Sequence, residues 1–194
     1  MKKIVLVLVA IFMSVFLVSC GGKTEVKDSV KDFFSAYQNM DLSKANEYVE
    51  DGGLLQKSIK QFEDYDKSRI EALKYWSSKL NYKILNSEEK DKEAKVKVEV
   101  TALNGSQIYN EYMQNVQSLR INEATLNNES VDGDAVGSDF DKAFITALEN
   151  QTNSLITTDL TVILKKEDGK WKIQNDKEVL QAILGGLNPD QIIS

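Results

Sequence analysis

The sequence predicts an α+β fold in which N-terminal helices pack on a curved antiparallel sheet. Two observations carry this. Apolar residues recur at helical spacing up to about residue 80, and the period then changes to two over Lys95–Leu103. A second run of period two, Leu160-Val162-Leu164, is closed by Asp168-Gly169 and answered by Trp171 and Ile173, the pattern of a tight hairpin.

The chain has 194 residues, enough for one domain with a real core. It opens with Lys2 and Lys3, followed by an apolar run from Ile4 to Val18 interrupted only by Ser14. This run is short for a bilayer span of about 20 residues and suits the core of a signal peptide. Leu17-Val18-Ser19-Cys20 follows at once and is similar to a lipobox. A small residue before cysteine suits cleavage there, and the thiol is the group that accepts diacylglycerol. The reading is therefore a lipoprotein signal peptide at 1–19, a lipidated tether at 20–23 with Cys20 as the lipidation site, and a single α+β domain at 24–194. Two acyl chains suffice for stable anchoring, which places the domain on the extracytoplasmic side of a cell membrane, in the periplasm or at the cell surface.

The first helix is expected over Glu25–Asn39, with Val26, Val30, Phe33, Phe34 and Tyr37 as its apolar stripe. A second short helix is expected from Ser43 as cap, burying Ala45, Tyr48 and Val49, and ending at Asp51-Gly52-Gly53. A third covers about Leu54–Leu80 through Leu55, Ile59, Phe62, Ile70, Leu73, Trp76 and Leu80. The series breaks around Asp64–Ser68, which implies a kink or two shorter helices.

Tyr82–Asn86 is a weaker strand that pairs with Lys95–Leu103 across a charged turn, Glu88–Glu93. A helical insertion, about 105–153, separates the two hairpins. Ile108, Tyr112, Val116 and Leu119 mark one helix, Phe140, Phe144, Ile145 and Leu148 another, and Asn127–Asp139 reads as an exposed loop between them. Asn175 and Glu178 offer a capping box for a last helix through Val179, Leu180, Ile183 and Leu184. Gly185-Gly186 ends it.

Two stretches resemble the nuclear transport factor 2-like (cystatin-like) superfamily, and its bacterial lipoprotein branches in particular. One is Phe33-Phe34-Ser35-Ala36-Tyr37 with Asp41, Ala45 and Tyr48, similar to the superfamily's opening helix pair. The other is Asp168-Gly169-Lys170-Trp171-Lys172-Ile173, similar to its closing hairpin. The resemblance implies helices over the concave face of the sheet and a conical pocket between them. It also implies that an enzyme of this type would place Asp, His or Tyr in the cone, which singles out Asp32, Tyr37 and Asp41. The helical insertion departs from the simple superfamily core.

Composition excludes much chemistry. Histidine is absent, so Ser-His and Cys-His catalysis and His-ligated zinc are excluded. Cys20 is the one cysteine, so internal disulfides and thiolate clusters are excluded too. Net charge is −6, and about −8 once the leader lysines are gone, which argues against nucleic acid as a partner. No cofactor motif is present.

Asn128, Ser130, Asp132, Asp134 and Asp139, with Gly133, fall at the spacing of a calcium-binding loop. Asn at the first position and Asp at the last weaken that match, and a solvated linker without metal is expected. Phe34, Tyr37, Tyr48, Trp76 and Trp171 are the aromatics available to line a pocket, or equally to fill the core.

The function expected is a non-catalytic binding module for an envelope partner or small ligand, anchored through lipid on Cys20. The alternatives are a pocket enzyme that works with a carboxylate and Tyr, and a structural component of the envelope.

Overall fold

The computed structural model describes residues 23–63, 67–126, 133–150 and 152–192. Cys20, the lipobox and the leader lie outside the described residues. The fold is α+β: a four-stranded antiparallel sheet, not closed into a barrel, with helices on one face. In chain order the elements are α1 (Lys23–Gln38), α2 (Leu42–Asn46), α3 (Leu54–Glu63), α4 (Lys67–Ser78), β1 (Asn81–Lys90) and β2 (Glu93–Leu103). The insertion helices α5 (Gly105–Leu126) and α6 (Gly133–Glu149) follow, then β3 (Leu155–Glu167), β4 (Lys170–Ile173) and α7 (Asp176–Ile183). A single 3-10 turn, Pro189–Gln191, ends the described chain.

The sheet is a meander in the order β1-β2-β3-β4. Its inner face is made by alternate residues: Val96, Val98 and Val100 on β2, and Leu160, Val162 and Leu164 on β3, all buried. Their neighbours Lys95, Lys97, Thr161 and Lys165 are exposed, so the other face meets water. The helices cover only the apolar face. Helix α1 packs on β1 and β2, and α7 packs on β2 and β3. The stripe expected on α1 is the one it buries, with Val26, Val30, Phe33 and Phe34 at zero exposure.

β1 has a weak alternation because it contains a bulge. Ile84 pairs with Val98 and Asn86 with Lys97, which leaves Leu85 as the extra residue, half exposed. The strand also runs further than its sequence suggested. Lys90 pairs with Glu93, so the charged turn expected at Glu88–Glu93 contracts to Asp91-Lys92, with Asp91 at φ +55°. The second hairpin turns on Asp168 (φ +48°) and Gly169 (φ +83°), the two positive φ values that a two-residue type I′ turn needs.

Three local expectations are corrected. Helix α2 is capped by Asp41 rather than Ser43: the Lys44 N–H donates to Asp41 Oδ1 at 3.1 Å, and the helix starts one residue earlier. Asn175 stands at the N-cap of α7, but its side chain does not cap it. It reaches β3 instead, accepting from Ile163 N and donating to Thr161 O, both at 2.8 Å, and so continues the ladder past the end of short β4. Of the loop expected at Asn127–Asp139, residues 133–139 form the first two turns of α6. Positions 134 and 139 are therefore helical. That removes Gly133, Asp134 and Asp139 from any loop-shaped calcium site. Asn128, Ser130 and Asp132 lie outside the described residues.

The insertion is fastened where two glycines cross. Gly105 N donates to Gly185 O at 3.0 Å. A Cβ on Gly105 would lie 1.9 Å from Leu184 O, and one on Gly185 would lie 1.6 Å from Leu103 O. Gly185 and Gly186 also end α7 as expected, with positive φ and hydrogen bonds to Ala182 O and Gln181 O in the Schellman arrangement.

Candidate functional site

Helices α5 and α6 pack against each other, and α6 also leans on α4. A cleft of about 370 Å³ stays open between this pair and the body of the domain. The lining residues come from helices, from Met40 in the α1–α2 turn and from the chain beyond α7, and no strand contributes. The conical space between sheet and helices implied by the superfamily resemblance is therefore not this cleft. The inner face of the sheet is closed by Phe33, Val30, Val179 and Leu180 at zero exposure.

The body side of the cleft is Tyr37 from α1, Phe62 from α3, and Leu73 and Trp76 from α4. The insertion side is Ile108, Tyr109 and Tyr112 from α5 and Phe144 from α6. Tyr112 stands about one turn after Ile108 on the same face of α5, and Tyr109 lies about 100° round the helix, so the three present a broad face to the cleft. Trp76 and Phe144 face each other across the α4–α6 seam, with ring centroids 6.4 Å apart and planes inclined by 14°. Tyr112 meets Phe144 edge to face at 5.9 Å. The chain after α7 supplies the floor through Leu187 and Ile192. An ion pair between Lys177 and Asp190 and the Asn188 side chain on Asp190 N hold that segment in place.

Among the described residues of the lining, the charged ones are Arg69 and Asp141. Arg69 Nε donates to Asp141 Oδ1 at 2.8 Å, joining α4 to α6. On the far side of α5, polar bonds tie that helix to the segment between α6 and β3. Asn150 Nδ2 donates to Glu111 Oε1 at 2.7 Å and Gln107 Nε2 to Thr152 O at 3.2 Å.

Of the five aromatics considered for a pocket, the structure brings two to the cleft, Tyr37 and Trp76. The others lie elsewhere. Phe34 is buried beneath the sheet edge, stacked on Tyr82 at 5.2 Å. Tyr48 is half-buried, and its hydroxyl donates to Asp32 at 3.3 Å. Trp171 is a packed hairpin residue, 2% exposed, with the Lys166 ammonium 5.3 Å above its ring. Helical spacing reveals that a residue is apolar, but not whether it meets the sheet or the insertion. Phe62, Leu73, Tyr112 and Phe144 were visible as stripe residues. Their convergence was not, because they come from four separate helices.

Asp32, Tyr37 and Asp41 are not brought together as an acid–base set. Asp41 caps α2, and Asp32 accepts from Tyr48. The Tyr37 hydroxyl is buried without a well-directed hydrogen bond. Burial raises its pKa above the usual tyrosine range, and the Ser58 hydroxyl close by offsets this only in part. Burial, then Asp32, also raises Tyr48. Burial pushes the Asp176 carboxyl towards neutrality, up to about 6, and it stands away from the cleft. Among the described residues there is no cluster of three or more His, Cys, Asp or Glu side chains suited to a metal ion.

Fold and cleft together define an α+β domain with a helical insertion closing an apolar, aromatic recess. No protein family model matches the chain, and no curated protein matches it by sequence. It is similar to one solved structure, that of a candidate lipoprotein, YcdA, from Bacillus subtilis, at 14% identity and a TM-score of 0.40. That likeness covers 81% of this chain and 45% of the other, so the chain spans less than half the length of that protein. Among the described residues no helix is long and apolar enough to cross a membrane.

Proposed function

We propose that this protein is a lipid-anchored, extracytoplasmic binding module, and that a small, largely apolar ligand occupies the cleft beneath the helical insertion. The observation that carries the reading is the cleft itself. It is lined by aromatic and aliphatic side chains from separate helices, and the charged residues of the lining are Arg69 and Asp141. A recess of this kind binds by burial and shape. The absence of histidine from the chain and the separation of Asp32 from Asp41 favour binding over catalysis. The anchor is read from Leu17-Val18-Ser19-Cys20, three residues before α1 begins at Lys23. The opening helix pair and the closing Asp168–Ile173 hairpin support a distant relation to nuclear transport factor 2-like domains.

Two measurements test this. Radiolabelled palmitate should enter the wild-type protein and not Cys20→Ala. Equal labelling of both refutes the anchor. N-phenyl-1-naphthylamine, an apolar fluorophore, should brighten on binding the protein, and Leu73→Phe should weaken that response about tenfold by filling the cleft. An unchanged response in Leu73→Phe refutes the assignment of the site.

A further inference from the structure

The two ends of the sheet differ in what they carry. At one end lie both hairpin turns, Asp91-Lys92 and Asp168-Gly169, held side by side where the Lys166 backbone N–H donates to Lys92 O at 2.7 Å. At the other end Leu103 pairs with Leu155, and Asn104 N donates to Ser154 O at 2.9 Å, so both junctions of the insertion are there. Helix α1 runs between the two ends. Gln38 Nε2 donates to Leu80 O at 2.7 Å, which sets the last turn of α1 beside the start of β1. The helix packs along β1 and β2, so its first turn is directed towards the hairpin turns. The cleft belongs to the insertion end. Its lining takes Tyr37 from the last turn of α1, Trp76 from the last turn of α4, Ile108 from the first turn of α5 and Leu184 from the end of α7.

We infer that the domain stands on its hairpin turns with the cleft at the end away from the bilayer, and that the ligand enters from water rather than from the membrane that holds the anchor. This rests on the anchor and binding readings above. Cys20 is three residues before Lys23, a reach of about 11 Å when fully extended. From Val26 to Tyr37 the helix rises roughly 17 Å. The tether is therefore too short to carry the anchor round to the cleft. The residues at the hairpin turns suit a headgroup layer. Lys90, Asp91, Lys92, Glu93, Asp168 and Lys170 are exposed and carry both signs of charge, so this end rests on polar headgroups and does not enter hydrocarbon. A lipid drawn from the same bilayer would have to cross the length of the domain with its chains in water, at a cost of about fourfold per methylene. A small apolar molecule already in the water meets the cleft directly.

The test uses the full-length, lipidated chain in phosphatidylcholine vesicles. Lipid on Cys20 leaves an introduced cysteine as the sole free thiol, so a bimane label can be placed at either end. Lys92 and Leu155 are both exposed, one at a hairpin turn and the other at the insertion end. A nitroxide on the lipid headgroup should quench the label on Lys92→Cys several-fold more than the label on Leu155→Cys. Equal quenching means that the domain lies on its side, and stronger quenching of Leu155→Cys means that the cleft faces the bilayer. Either result overturns the orientation and leaves the anchor standing. A phospholipid with a diazirine in its acyl chain addresses the source of the ligand. Irradiated in the same vesicles, it should give no adducts on Trp76 or Phe144, whereas a short-chain alkyl diazirine added to the water should mark both. Phospholipid adducts on these two residues refute entry from water. No adducts from the short-chain probe refute the binding reading and this inference with it. A chain that takes no palmitate at Cys20 refutes the anchor, and the orientation falls with it.

Discussion

Asp176 gives a quantitative test of how the body of the domain is assembled. It is the first residue of α7, yet its carboxylate reaches the start of α3, where Oδ2 accepts from Leu55 N at 3.4 Å. Gly53 makes this approach feasible, since a Cβ there would lie 1.9 Å from Oδ2. The second oxygen, Oδ1, is buried without a partner. Burial is the largest influence on the group and raises its pKa from 3.8 to about 6. The Leu55 and Leu54 N–H groups pull the other way, and Glu50 and Glu178 add like-charge repulsion.

The sign follows from proton binding. The folded state holds this proton more tightly than the unfolded state, so the contribution to stability is greatest below pH 4. It declines as pH rises towards 6 and is flat above. A shift of about two units corresponds to roughly 3 kcal/mol at full value. The carboxyl is partly reached by water, so roughly 1–2 kcal/mol is the working figure. Asp176→Asn keeps an oxygen for Leu55 N and removes the buried charge. It should stabilise the protein at pH 7 by about 1 kcal/mol and leave it nearly unchanged at pH 4. Urea denaturation followed by tryptophan fluorescence from pH 4 to pH 8 measures this. The difference between wild type and variant should open between pH 4 and 6 and then stay constant. A difference independent of pH, or one that favours the wild type as pH rises, refutes the assignment of Asp176 as a strained buried charge.

Two further substitutions test the geometry of the insertion and the hairpin. Gly105→Ala drives a Cβ into the Leu184 carbonyl and should cost about 2–3 kcal/mol, whereas Gly169→Ala meets open space and should cost about 1 kcal/mol from its positive φ alone. Thermal denaturation of both separates contact from conformation, and equal losses would contradict the glycine crossing. Trp171→Ala removes a ring that is 2% exposed and should cost about 3–5 kcal/mol in chemical denaturation. A loss below about 1 kcal/mol would mean the hairpin is not packed as described.

Much of the body was legible because its signals are local. The α1 stripe, the alternation of β2, the Asp168-Gly169 turn and the Gly185-Gly186 stop each depend on residues within one element and came out as read. One cause of the misreadings is competition from partners distant in sequence. Asn175 has the chemistry of an N-cap, but an open stretch of β3 offers it two backbone groups. The bulge at Leu85 disturbs the period of β1 while preserving its pairing. The start of α6 was hidden by Gly133 and the acidic residues after it, a composition shared by loops and by first turns of helices. The cleft was the least legible part. Arg69 and Asp141 are 72 residues apart, and no local pattern marks them as partners.

An apolar recess left open lowers stability, since its walls forgo the contacts that close packing would supply. Filling it should therefore strengthen the fold and remove the ligand's place. Leu73 is suited to this because it is half-buried on α4 and lines the recess, so a larger ring there extends into space rather than into the core. Leu73→Phe should raise stability by about 0.5–1 kcal/mol, the range typical of a cavity-filling change. Against this, a ring added to a site already packed would cost about 1–3 kcal/mol through strain. The two outcomes differ in sign, so chemical denaturation decides between them. A Leu73→Phe protein that is more stable and also fails to bind the naphthylamine identifies the recess as open space kept for a ligand at the expense of stability. A protein destabilised by more than about 1 kcal/mol means the space is closed by its own side chains. Loss of fluorophore binding in that case would reflect damage to the α4–α6 seam, and the binding reading would fall with it.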